Sequence, residues 1–94
     1  MSPSAAQLPS VRRQFAYFLD DTTRAPRAAV AAHARYLAML EARGVLLLGG
    51  TFRDAVDGVV CVVADDEVEA DSIARADPLV AFGFTLYRLR EVLR

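Results

Sequence analysis

Apolar side chains recur along this chain at two spacings, and the switch between them lays out the elements. From Val11 to Leu19, Phe15, Tyr17 and Leu19 alternate with Gln14, Ala16 and Phe18, a period of two that predicts a strand ended by Asp20, Asp21 and Thr22. Pro26 suits the first turn of a helix, Ala28 to Arg43 is dense in good helix formers, and Gly44 stands where the helix stops. Within that helix Val30, His33, Leu37 and Leu40 recur at steps of three and four, so its apolar stripe carries the only histidine. Val45 to Leu48 reads as a second, short strand, followed by Gly49, Gly50 and a polar loop through Asp54. Asp57 and Gly58 mark a turn, and Val59 to Ala64 is a third strand, apolar at every position. Glu67 to Ala76 is a second helix with Asp65 or Asp66 as its cap, and Phe84 to Val92 closes the pattern as a fourth strand.

The order β-α-β-β-α-β predicts an α+β, ferredoxin-like domain: a four-stranded antiparallel sheet with two helices on one face. Phe15, Tyr17 and Leu19 point opposite to Ala16 and Phe18, and Val59, Cys61 and Val63 opposite to Val60 and Val62. Helices cover one face only. Apolar side chains on the other are expected to be covered by a second copy, giving a sheet-to-sheet homodimer.

Composition narrows the classes further. The 94 residues, 54% apolar and 24% charged, suit one globular domain over residues 11–94. Met1 to Ser10, rich in Ser, Pro, Ala and Gln, reads as a disordered extension without the basic and apolar regions of a secretion signal. No apolar run has the length to span a bilayer, so no membrane association is expected. A net charge of −1, with no aromatic interleaving around Arg12, Arg13, Arg88 and Arg90, argues against nucleic acid. The lone Cys61 has no disulfide partner and fits a reducing, cytoplasmic setting.

Three segments together resemble the YCII-related family of dimeric α/β-barrel proteins. His33 is followed by Tyr36-Leu37, then by Gly44 at the helix end and Gly50 after the second strand, and Ala76-Asp77-Pro78-Leu79-Val80-Ala81-Phe82-Gly83 looks like the family's Asp-Pro turn into the last strand. The resemblance spans roughly residues 14 to 92. It implies a ferredoxin-like subunit, a dimer, and a pocket between sheet and helices where the family's His and Asp, here His33 and Asp77, meet. Many members carry Pro directly after the glycine equivalent to Gly50, where this chain has Thr51, so no substrate is carried over.

The chemistry these residues support is proton transfer. Histidine titrates near neutrality, and a neighbouring carboxylate fixes its tautomer and stabilises its charged form. An enzyme is therefore expected with His33 as general acid or base and Asp77 orienting it, acting on a small organic molecule by elimination, isomerisation or hydrolysis. Tyr17, Tyr36, Gly50, Thr51 and Arg53 are the expected substrate-binding residues. Each has a plainer reading: His33 as a packed residue of a helix face, Asp77 as a cap ahead of a first-turn proline, the tyrosines as core. A ligand-binding or regulatory module using the same pocket is the alternative, and a purely structural dimerisation domain a third. Cys61, inside an apolar strand, reads as packing. Ser72 lies in a polar helix outside any nucleophile elbow, one His and one Cys do not make a closed zinc site, and Gly49-Gly50 lacks the lysine of a phosphate loop. No cofactor or metal is expected.

Overall fold

A computed structural model describes residues 12–53 and 56–93. Val11, the extension before it and Asp54 lie outside the described residues. The order is β1 (Arg13–Asp20), a 3₁₀ turn (Thr22–Arg24), α1 (Arg27–Ala42), β2 (Leu46–Thr51), β3 (Gly58–Ala64), α2 (Glu67–Ala76), α3 (Pro78–Ala81) and β4 (Leu86–Val92). The four strands form one antiparallel sheet in the order β2-β3-β1-β4. This is the α+β, ferredoxin-like arrangement that the pattern of apolar positions predicts.

Sequence chemistry sets the ends of the helices. Pro26, with φ fixed at −67°, precedes α1, and Gly44 takes the left-handed φ of +72° that stops it, with the Val45 N–H reaching back to the Leu40 carbonyl at 2.9 Å. Asp66 caps α2, accepting from the Glu69 N–H at 2.8 Å, while the Glu69 carboxylate accepts from the Asp65 N–H at 2.9 Å.

Phe15, Tyr17 and Leu19 of β1, Val60, Val62 and Ala64 of β3, Leu40 of α1, Ala70 and Ala74 of α2 and Leu79 form the core on the helix side. Small alanines let α2 lie close to the sheet. The opposite face carries Ala16, Phe18, Val59, Cys61 and Val63, with the Arg88 guanidinium 5.8 Å from the centre of the Phe18 ring. Most of these side chains are half-buried rather than sealed. Partial burial pushes the Cys61 thiol pKa up, in keeping with a packing role.

Three local expectations are corrected. Gly49 and Gly50 do not leave the sheet: β2 runs on to Thr51, with Gly49 opposite Val60, Gly50 opposite Val59 and Thr51 opposite Gly58. Glycine keeps both backbone partners, and an adjacent strand that uses them outweighs its weak strand preference. Gly58 accordingly opens β3, and the hairpin is closed just before it by the Phe52 N–H on the Asp57 carbonyl at 3.0 Å. The last strand begins at Leu86 rather than Phe84, because α3 intervenes and the N–H groups of Phe84 and Thr85 both turn back to the Leu79 carbonyl, at 3.0 and 3.1 Å. The register of β2 also shifts by one residue between Leu46 and Leu48.

Candidate active site

Asp77 stands where α2 hands over to α3. Its backbone, at φ −61° and ψ 126°, ends one helix and caps the next, and Pro78 takes the first position of α3 without wasting a donor. The cap reading and the contact with histidine hold together. Oδ1 accepts from the Leu79 N–H at 3.0 Å, and both oxygens lie 2.8 Å from Nδ1 of His33. A third donor completes the shell: the Tyr17 hydroxyl donates to Oδ2 at 2.8 Å. The carboxylate is fully buried, so each of these bonds replaces one that water would otherwise supply.

His33 reaches the carboxylate from α1, which packs against α3 and β2, on the stripe it shares with Val30 and Leu37. Its side chain keeps 17% exposure, in contrast to Asp77. With Nδ1 turned to Asp77, the nitrogen left to meet another molecule is Nε2. In the neutral ring a proton on Nδ1 leaves Nε2 with its lone pair, the arrangement of a base held in one tautomer.

The ring also lines a cavity of about 150 Å³. Leu37 and Val30 of α1, Leu19 of β1 and Leu79 of α3 supply its apolar walls. Its floor is backbone. Gly49 and Gly58 line it from β2 and β3, and a Cβ on Gly49 would stand 3.0 Å from Leu37 Cδ1, while one on Gly58 would stand 3.3 Å from the Gly50 carbonyl oxygen. Side chains at these two positions would enter the space that the glycines leave open. Thr22 and Thr51 add hydroxyls, of which the Thr22 hydroxyl is already donated to the Val56 carbonyl at 3.0 Å.

The residues singled out in the sequence scatter around this cavity. His33, Gly50 and Thr51 line it. Tyr17 does not: it is fully buried behind the carboxylate, and burial first, then the neighbouring Asp77, raises its pKa far above the ordinary tyrosine range. Tyr36 faces the groove between α1 and α2, its hydroxyl donated to the Ile73 carbonyl at 2.7 Å, and burial raises its pKa too. Arg53 is exposed beyond the end of β2 and is not among the described residues that line the cavity. Sequence reasoning missed Thr22, Gly49, Gly58 and the Leu79 N–H; the Ala-Asp-Pro segment was the one signal for the last of these. Among the described residues no three metal-ligating side chains come together.

Residues 14–94 match the YCII-related domain. The chain belongs to the YCII-related family. It is similar to the uncharacterized protein YjpA of Bacillus subtilis (strain 168), 40% identical over 62 residues, which covers 66% of this chain and 73% of YjpA. Among solved structures, the crystal structure of MtbAldR matches the whole chain with a TM-score of 0.58 at 12% identity. This chain spans 58% of the length of MtbAldR, and at that identity the likeness is one of fold. No helix in the described residues of this YCII-related chain is long and apolar enough to cross a membrane.

Proposed function

We propose that this YCII-related protein is an enzyme that moves a proton on a small organic molecule, with His33 as the acid-base group and Asp77 as its orienting carboxylate. The observation that carries the reading is the pairing of His33 Nδ1 with both oxygens of buried Asp77 at 2.8 Å while the same ring lines a cavity. Asp77 accepts a hydrogen bond from Nδ1–H, which stays on the ring, so Nε2 takes a proton from an acidic C–H or O–H of the substrate. The imidazolium so formed lies against a fully buried carboxylate, where their attraction is stronger than in bulk. Returning the proton to a different atom gives isomerisation, loss of a neighbouring leaving group gives elimination, and deprotonating a bound water gives hydrolysis. Gly50 and Thr51 are the substrate-binding residues of this reading.

Deuterium exchange tests it without a known substrate. Small ketones, lactones and halogenated compounds are incubated in heavy water, and incorporation at an acidic carbon is followed by NMR. Wild type is expected to accelerate exchange on some member of the panel and His33→Ala to lose that acceleration while remaining folded. Equal acceleration by both proteins would refute the assignment. The apolar cavity also suits a binding module, and a tightly held molecule that is recovered unchanged favours that second reading.

The assembly proposed with it is a homodimer through the open sheet face, where Phe18, Val59, Cys61 and Val63 are half-buried in the single chain. Light scattering that gives the monomer mass at micromolar concentration would remove it. A reducing cytoplasm is the proposed setting, in keeping with the lone thiol of Cys61.

A further inference from the structure

The cavity beside His33 is selective in charge as well as size. Its walls are Leu19, Val30, Leu37 and Leu79, its floor is glycine backbone, and no arginine lines it among the described residues. The chain contains no lysine, and outside the described residues its only basic side chain is that of Arg94. The Asp77 carboxylate is held directly behind the histidine ring. A phosphate or carboxylate ligand placed against Nε2 would therefore give up its hydration with no cation to replace it, and would face a buried negative charge through one imidazole. A neutral molecule meets neither cost. Its polar atom has a partner there in His33 Nε2, and Thr51 lines the same cavity, while the Thr22 hydroxyl is already donated to Val56.

Volume limits the rest. An apolar cavity of about 150 Å³ takes a molecule the size of benzene, and this cavity has about that volume. We infer that the ligand class is a small uncharged molecule, one ring or its equivalent in carbon, with a single polar group that meets His33. The inference rests on the reading that this cavity is where His33 meets its ligand, and it adds the exclusion of anions.

Benzamide and benzoate, nearly the same in shape and different in charge, separate the classes. Binding is read at about pH 8, well above the usual imidazole range, from shifts in the His33 ring signals of the folded protein. Benzamide is expected to bind at least about tenfold more tightly than benzoate. Equal or tighter binding of benzoate overturns the inference, and so does failure of benzamide to bind up to its solubility limit. Val30→Phe gives the location, since Val30 is 47% exposed and the larger ring there narrows the cavity with little cost to the fold. Benzamide binding is expected to be lost in that variant; undiminished binding would place the ligand elsewhere and also overturn the inference. Failure of the acid-base reading looks different: neutral ligands bind and no deuterium is exchanged. Exchange confined to charged compounds gives the converse result.

Discussion

Two hollows border α1, and the larger is the less promising one. The groove between α1 and α2 measures about 390 Å³ and carries Tyr36, Arg12, Arg43 and Glu69. Most of that polarity is spent on holding the protein together: the Tyr36 hydroxyl goes to the Ile73 carbonyl, and Arg12 pairs with Asp65 at 3.2 Å and Glu69 at 2.6 Å. The hollow beside His33 is less than half that volume and mostly apolar, yet it holds a ring nitrogen whose partner nitrogen is fixed by a buried carboxylate. A site is marked by what its polar groups have left to offer, and volume is a poor guide to that.

Substitutions that empty each shell of hydrogen bonds put this contrast to the test. Asp77→Ala leaves Tyr17, His33 and the Leu79 N–H without their acceptor and removes the cap of α3. A loss of about 3–5 kcal/mol is expected in chemical denaturation. A loss under about 1 kcal/mol would show that water replaces the carboxylate easily and would dissolve the contrast.

Tyr17→Phe keeps the ring and removes one bond to a buried charge, for an expected cost of about 1.5–3 kcal/mol. This bond also makes stability depend on pH. The folded tyrosine has its pKa raised above the ordinary 10.0, so it holds its proton where the unfolded chain releases it. Its contribution is fully present below that ordinary value and falls away as pH climbs past it toward the folded value. Wild type is expected to lose stability more steeply than Tyr17→Phe above about pH 10, and parallel curves would show that Tyr17 is not the group responsible.

The larger groove should respond less. Tyr36→Phe removes a neutral, half-buried bond to a carbonyl and is expected to cost about 0.5–1.5 kcal/mol. Arg12→Ala, at an exposed ion pair, should cost under about 1 kcal/mol and should become neutral in high salt. An effect at Arg12 as large as that at Asp77 would reverse the ranking of the two hollows.

What could be read in the sequence was whatever a short window records. Helix α2 has the predicted bounds, because an aspartate cap, an alanine-rich interior and an Asp-Pro end follow one another between Asp66 and Pro78. Helix α3 was legible only as a cap, since four residues are too few to show a period. Gly49 and Gly50 misled because local preference cannot see the adjacent strand. The contact between His33 and Asp77 joins positions 44 residues apart, and no spacing rule spans that distance; only the family resemblance supplies the expectation. Tyr17 was visible as a strand residue facing inward, but nothing along β1 could tell whether its hydroxyl would meet a ligand or a carboxylate.

The displaced register of β2 has a consequence for how such a cavity is inherited. Leu47 is surplus to the ladder: Leu46 faces Val62, Leu48 faces the next residue of β3, Cys61, and Gly49 thereby falls opposite Val60 on the helix side. Drawing Leu47 into the ladder by one step would put Leu48 opposite Val60, and an isobutyl group would enter the room that glycine now leaves beneath Leu37. Three leucines in a row look alike to the core, so hydrophobic pattern alone does not choose between these threadings. A chain shortened by one leucine should keep its cavity with an unbroken edge strand, whereas a slipped chain of unchanged composition should lose it.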